Sequence, residues 1–232
     1  MYPFVHRYEL DTSRPTGREV ARDLALRAFL PGAALWIVIV GLGFLIKGPL
    51  DNLPGEAGVN QALADARTPF LDTVTEMLSA IGMTEFIIGA CVLAVALIWW
   101  RTRQWWFALV PALAVSLQAL IFLTSSLVVG RTRPEVEMLD DAPPTSSFPS
   151  GHTGASAAFY LTLALLAQRV QNPVLRVVLT VLAVLVPFAV GFARLYRGMH
   201  SLTDVLAGLV NGIVCAGLAW GYLRRDTSRV RV

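Results

Sequence analysis

The sequence has little cysteine and little charge. Its 232 residues include two cysteines and are 15% charged, whereas a soluble domain usually has about 25% charged residues. Cys91 and Cys215 both lie within apolar runs, which argues against a structural disulfide or a metal site and favours small buried residues. The polar motifs described below have no cluster of carboxylates suited to Mg²⁺ around them. We therefore predict no metal at these motifs, and we expect no other cofactor.

Apolar residues make up most of the chain instead. They account for 55% of it, and the mean hydropathy is +0.60. They fall in blocks close to the ~20 residues that a membrane-crossing helix needs. We predict one all-α, polytopic membrane domain over residues 1–232, with six transmembrane helices at residues 28–45, 84–100, 105–129, 151–166, 174–192 and 202–222. The fourth span is short, so we expect its helix to continue past Gln168.

Two stretches outside these blocks have mixed polarity. Residues 1–27 are polar and lack the early apolar core of a cleavable signal peptide, so we expect the first span to be the membrane signal. Residues 18–30 have apolar side chains at helical spacing, which predicts an amphipathic helix on the inner membrane surface. Residues 58–82 fit either one wall of a lipid access path or a surface segment without a role.

The distribution of arginine predicts the orientation in the membrane. With a cytoplasmic N-terminus, five arginines before the first span and four within residues 223–232 are inside. Of the six cationic residues left outside, four belong to the motif segments. This bias places both termini, including residues 1–27 and a tail at 223–232, in the cytoplasm. All motif loops then lie at the extracytoplasmic face, and the richness in Arg and Ala indicates a bacterial inner membrane.

The segment Ser-Phe-Pro-Ser-Gly-His at residues 147–152 has the features of a helix start. Pro149 favours an extended residue before it and a helix after it, and Ser150 can cap that helix. Gly151 leaves the backbone open to close approach. Free N–H groups at a helix N-terminus form an anion site, which places His152 beside the anion. An ordinary cap on the fourth span is the alternative.

A second group of polar residues precedes the sixth span. His200 and Asp204 are four residues apart, which would place them on one face of a helix. We predict that Asp204 holds one imidazole nitrogen as an N–H donor and leaves the other free to attack. The alternative is a solvated His–Asp pair without a role. A functional pair is favoured because it lies at the end of a membrane span and Arg194 is six residues upstream. Arg133 follows the third span and offers bidentate donors to a phosphoryl group. Taken alone, an arginine at this place is better explained as one that snorkels or contacts lipid head groups.

Together these segments resemble the type 2 phosphatidic acid phosphatase superfamily, whose pattern is Lys-x6-Arg-Pro, Pro-Ser-Gly-His and Ser-Arg-x5-His-x3-Asp. The likeness makes residues 126–204 the catalytic region and implies a metal-independent lipid phosphatase with a phosphohistidine intermediate. It implies that His200 is the nucleophile and that Asp204 orients it. His152 would protonate the leaving-group oxygen and then activate water. The implied ligands of the phosphate oxygens are Arg133, Arg194, Ser150 and the backbone N–H of Gly151.

Two positions depart from that pattern. Ser126 stands where the superfamily has lysine, and Ala193 stands where it has serine. The loss of a phosphate-binding cation could cost on the order of 1–3 kcal/mol. Arg131 and Arg197 lie within the motif segments, and we predict that one of them, with Arg131 assigned to the phosphate site, supplies the missing charge. We expect activity because the two histidines, the aspartate and the two motif arginines are all present.

The expected reaction is hydrolysis of a phosphomonoester or diphosphate on a membrane lipid. Polyprenyl diphosphate of cell-wall biogenesis, phosphatidylglycerophosphate and phosphatidate are the candidate substrates, with the lipid chain in an apolar cleft between helices. A lipid-to-lipid phosphotransferase and a non-catalytic lipid-binding protein of the same fold stay open as alternatives. A vanadium-dependent haloperoxidase is disfavoured by the six spans. We expect the bilayer and its lipids as partners and no nucleic acid; the oligomeric state stays open.

Overall fold

The computed structural model describes residues 2–226, and every regular element within them is a helix. The all-α prediction is confirmed for these residues, while residues 227–232 of the predicted tail lie outside them. The helices are α1 Arg7–Leu10, α2 Gly17–Leu24, α3 Leu30–Lys47, α4 Pro54–Asp65, α5 Pro69–Ala80, α6 Thr84–Thr102, α7 Trp105–Val129, α8 Gly151–Ala167, α9 Pro173–Tyr196 and α10 Leu202–Trp220. A π-helical turn at Ala25–Phe29 joins α2 to α3, so the predicted amphipathic segment continues directly into the first span.

Several helices are long and apolar enough to cross a membrane. Within residues 2–226 there are five of them: Gly17–Lys47, Thr84–Thr102, Trp105–Val129, Pro173–Tyr196 and Leu202–Trp220. They coincide with five of the six predicted spans, and the protein is a multi-pass membrane protein.

The helix at the predicted fourth span, α8, is shorter. It has 17 residues and ends at Ala167, so the expectation that it continues past Gln168 is wrong. The Gln168 side chain folds back and donates to the carbonyl of Ala164. Asn172 already caps the next helix, α9, by accepting from the N–H groups of Val174 and Leu175. A turn between two antiparallel helices therefore replaces the expected extension.

Helix α8 lies at the centre of the bundle and packs against α6, α7, α9 and α10. Its contact with α10 requires glycine, because a Cβ at Gly208 would lie 2.5 Å from the carbonyl oxygen of Ser150. Small residues of this kind allow membrane helices to approach closely. The N–H of Ser150 donates to the carbonyl of Asp204 at 2.9 Å. This packing brings the second and third motifs together.

The opposite end of the bundle is closed by aromatic residues near both termini. Tyr8 stacks on Phe107 with ring centroids 4.5 Å apart, and its hydroxyl donates to the carbonyl of Trp220. The guanidinium of Arg169 lies 5.0 Å from the ring centroids of Phe107 and of Trp220. The N-terminal segment and the end of α10 therefore meet at the end away from the motifs.

Candidate active site

The three motifs converge on one cavity of about 410 Å³ at the end of the bundle. Five of the eight predicted site residues line it: Arg133, Gly151, His152, Arg194 and His200. The remainder of its wall is largely apolar and comes from α6, α7 and α8, including Ile87, Ile88, Val115, Ala119, Phe122, Leu123 and Ala155. The cavity thus has a cationic, imidazole-bearing end and an apolar body between helices.

His200 lies in the loop before α10 and is held by a backbone carbonyl. The helix begins at Leu202, with Ser201 as its N-cap. Nδ1 of His200 is 2.7 Å from the carbonyl oxygen of Ser147 and 3.9 Å from Oδ2 of Asp204. This geometry corrects the prediction that Asp204 holds the imidazole directly on a shared helix face. The carbonyl fixes the proton on Nδ1, which leaves the lone pair on Nε2.

Asp204 instead organises the groups around His200. It is completely buried, and its Oδ2 accepts hydrogen bonds from the Ser147 hydroxyl and from the N–H of Ser201 at 2.8 Å. Its Oδ1 accepts from Nη1 of Arg131 at 2.7 Å. Because Ser147 also supplies the carbonyl that holds the imidazole, Asp204 acts on His200 through this neighbour.

Arg131 does not line the cavity. Its Nη2 donates to Oε2 of Glu56 at 2.8 Å, while its Nη1 is bonded to Asp204. Two buried carboxylates therefore neutralise its charge, which argues against the prediction that Arg131 binds phosphate in place of the missing lysine. Arg197 is similarly engaged, since its Nη2 and Nε lie 2.6 and 2.8 Å from Oδ1 of Asp140.

Ser126, at the position of the lysine, contributes to loop structure. Its hydroxyl accepts from the N–H of Ser146 at 2.9 Å and lies 3.1 Å from the Ser146 hydroxyl. The side chain therefore anchors the loop that leads into the Pro-Ser-Gly-His motif. Arg133 and Arg194 remain as the cations of the cavity wall.

Arg194 presents one edge of its guanidinium for an anion. Nη1 donates to Ser79 at 2.7 Å and to Oδ2 of Asp140 at 2.6 Å. Nε is buried and has no hydrogen-bond partner within residues 2–226, so the edge formed by Nε and Nη2 is suited to bidentate binding of an anion. Burial alone would raise the pKa of Asp140, but its bonds to Arg197 and Arg194 hold that pKa below the ordinary value. Asp140 is therefore a carboxylate that orients Arg194.

The start of α8 forms another part of the polar end. Gly151 lies on the cavity wall, and a Cβ there would be 2.7 Å from the Phe122 ring, so glycine permits the close approach of the backbone. The Ser150 hydroxyl lies 2.9 Å from Oγ1 of Thr153, and Ser150 is buried behind the cavity wall. The free N–H groups of the first helical turn, with His152 beside them, are suited to an anion.

Sequence reasoning missed two residues of α4 that support the loop containing His200. Nδ2 of Asn60 donates to the carbonyl of His200 at 3.0 Å. Glu56 accepts from the N–H of Thr203 at 2.6 Å in addition to Arg131. Glu56 and Asn60 are four residues apart after Pro54, so they occupy one face of the helix. This spacing was the available signal, and it links α4 to the loop that contains His200.

The surroundings of His200 favour the neutral imidazole. Burial lowers the pKa of His200 well below its ordinary value, and the positive charges of Arg194 and Arg133 lower it further. The unfolded chain then binds more protons than the folded chain below pH ~6.5. The contribution of His200 to the free energy of unfolding is therefore complete well above pH ~6.5, and it is lost as the pH falls through this value.

We therefore expect the free energy of unfolding to fall by about 1.4 kcal/mol for this group between pH 7.5 and 5.5. Denaturation in mixed detergent micelles across this pH range checks the value. The wild type is compared with His200→Asn, which has no imidazole to titrate at this position. The variant should lose less stability than the wild type over this range. Parallel pH profiles for the two proteins would contradict a depressed pKa at His200.

The sequence is similar to a known family and to a curated protein. The PAP2 superfamily pattern matches residues 105–228. Phosphatidylglycerophosphatase B of Bacillus subtilis (strain 168) is 26% identical over 188 residues, which cover 78% of this chain and 91% of that protein.

Two solved structures share the fold. One is a transmembrane PAP2 type phosphatidylglycerolphosphate phosphatase from Bacillus subtilis, with a TM-score of 0.71 and 24% identity over 82% of this chain and 94% of that one. The other is LpxE of Aquifex aeolicus, with a TM-score of 0.55 and 22% identity over 70% of this chain and 92% of that one. The motif order, the helical bundle and the match over more than half of the sequence together show that this chain belongs to the PAP2 superfamily.

Proposed function

We propose that this protein hydrolyses a phosphomonoester or diphosphate of a membrane lipid through a phosphohistidine on His200. The observation that supports the proposal most is the composition of one cavity. Two imidazoles, two guanidinium groups and a helix N-terminus form its polar end, and an apolar space between helices continues from it. Such a cavity suits a lipid with a single phosphorylated head group and a hydrocarbon chain.

The reaction has two steps at the same phosphorus atom. Nε2 of His200 attacks it, and the bond to the lipid oxygen breaks as protonated His152 donates its proton to that oxygen. His152, now neutral, removes a proton from water, whose oxygen attacks the phosphorus and breaks the bond to His200. Arg133 and the free edge of Arg194 stabilise the charge on the phosphoryl oxygens, together with the N–H of Gly151.

The role of Asp204 follows from its contacts. Its carboxylate fixes Ser147, whose carbonyl holds Nδ1 of His200, and it lies 3.9 Å from that nitrogen. A negative charge at this distance stabilises the positive charge that the imidazole gains on phosphorylation. Arg131 acts as a positioning residue for Asp204, and no metal takes part in this scheme.

The membrane topology belongs to the same proposal. We place α8 as the sixth membrane helix, shielded from lipid by the four helices around it. The arginine bias then puts both termini in the cytoplasm and the cavity mouth at the extracytoplasmic face of a bacterial inner membrane. Among the candidate lipids, the names of the relatives support phosphatidylglycerophosphate or another glycerophospholipid.

Release of inorganic phosphate by the purified protein in detergent tests the function. Phosphatidylglycerophosphate, phosphatidate and a prenyl diphosphate are supplied separately, each with and without EDTA. We expect release from at least one lipid that is insensitive to EDTA. If EDTA abolished phosphate release and Mg²⁺ restored it, the metal-free scheme would be contradicted. If phosphate were transferred to a second lipid and none were released, the phosphotransferase alternative would be favoured.

A further inference from the structure

One polar side chain in the apolar body of the cavity takes no part in the proposed chemistry. Gln118 of α7 is 1% exposed and lies on the cavity wall. Its backbone carbonyl accepts from Nδ2 of Asn211 at 3.2 Å, which ties α7 to α10 without the side-chain amide. Nε2 of Gln118 has no hydrogen-bond partner within the described part of the chain. Buried amides are nearly always paired. Nε2 itself is closed off by the packing around it, but Gln118 lines the cavity, so a rotation of its side chain would let a ligand atom supply the missing partner.

The amide has a defined depth below the anion site. It packs against Gly154, where any Cβ would clash with Nε2, so the glycine makes room for it. Gly154 follows Gly151 by three residues, which is about 4.5 Å along the axis of α8. A group bound at this level therefore lies about 4.5 Å beyond a phosphate at the helix N-terminus, towards the apolar body.

The ester carbonyls of a glycerophospholipid lie at a comparable separation from the phosphate. Only a few covalent bonds of the glycerol backbone join a phosphomonoester to the first acyl carbonyl. A carbonyl oxygen is an acceptor that can pair with a neutral amide donor. Ser116 and Thr84 also line the cavity, but both are exposed and can bond elsewhere.

We propose that Gln118 donates a hydrogen bond to an acyl ester carbonyl and thereby selects glycerophospholipids as substrates. The inference rests on the proposed phosphatase function. A prenyl diphosphate has no acceptor beyond its phosphate groups, so it either leaves the amide unpaired or places its second phosphate among apolar side chains. Both arrangements are unfavourable among the apolar side chains of the cavity body.

The test uses two substrates that differ only in these carbonyls. They are a diacyl phosphatidate and the corresponding dialkyl ether phosphate with the same chain lengths. We expect the kcat/KM of the wild type to be about fivefold higher for the ester than for the ether. This factor corresponds to the free energy of one neutral hydrogen bond. Gln118→Met keeps an unbranched side chain of similar length without the amide, and the ratio should fall to about one.

Thr124→Val is the matched control. It lies on the same helix outside the cavity, and its hydroxyl donates to carbonyls of its own helix. The ratio should stay at the wild-type value in this variant. Both substrates are measured on one preparation of each protein, so a loss of folded material cancels in the ratio.

The outcomes separate this inference from the function on which it rests. A wild-type ratio of one, or a ratio that Gln118→Met leaves unchanged, overturns the role of Gln118 while phosphate release keeps the phosphatase intact. A wild type that prefers prenyl diphosphate to diacyl phosphatidate also overturns it. Release from none of these lipids overturns both the inference and the proposed function.

Discussion

His200→Ala should lower kcat/KM for phosphate release by about 10⁴-fold or more. The variant lacks the atom that is proposed to bond to phosphorus, and removal of a nucleophile costs far more than removal of a phosphate ligand. The rest of the cavity wall is unchanged, so lipid binding should weaken much less than turnover. Single-turnover measurements of phosphate release, with lipid binding measured in parallel, separate the two effects.

The chain offers a matched control for this variant. It contains three histidines, and His6 lies beside α1 at the end of the bundle away from the cavity. His6→Ala should keep wild-type turnover within about twofold. If His200→Ala retained more than a tenth of wild-type activity, His200 would not be the nucleophile and another group of the cavity wall would have to be sought.

Asp204→Ala should destabilise the protein by about 3 kcal/mol in addition to slowing catalysis. The substitution removes the acceptor of the Ser147 hydroxyl and of the Ser201 N–H, and it leaves Arg131 with Glu56 as its remaining carboxylate partner. Removal of one partner of a buried ion pair costs about 3–5 kcal/mol, and the retained pairing with Glu56 favours the lower figure. Unfolding in mixed detergent micelles measures the loss.

Asp65→Ala is the comparison for stability. Asp65 lies at the end of α4 and accepts one bond from Gln61 on the surface. Its removal should change stability by less than about 0.5 kcal/mol. Equal stability of the Asp204→Ala variant and the wild type would contradict the account of Asp204 as the centre of a buried network.

The membrane helices could be predicted where the length of an apolar run decides the structure. A span needs ~20 apolar residues, and five helices meet that demand. The end of α8 could not be predicted in this way. Helix α8 packs against other helices on several sides, and it therefore accommodates fully buried polar residues such as Ser156 and Thr162. Apolar run length is therefore a poor guide to where such a helix ends.

The residues of the cavity could be predicted more fully than their contacts. The order of the motifs identified the five side chains or backbone groups that line its polar end. The carbonyl of Ser147, however, lies 53 residues from His200 in sequence, and a carbonyl has no residue-type signature because every residue has one. Glu56 and Arg131 pair across 75 residues, so the pairing of Arg131 depends on a helix outside the motif region.

Trapping of the covalent intermediate tests the central claim most directly. The wild-type protein is mixed with phosphatidate that carries a radiolabelled phosphate and is quenched at alkaline pH during turnover, and the labelled peptide is then identified. We expect an acid-labile phosphoryl group on the peptide that contains His200, and none on the His200→Ala variant. A label on another residue, or turnover without any trapped label under conditions where hydrolysis of the intermediate is slow, would contradict it.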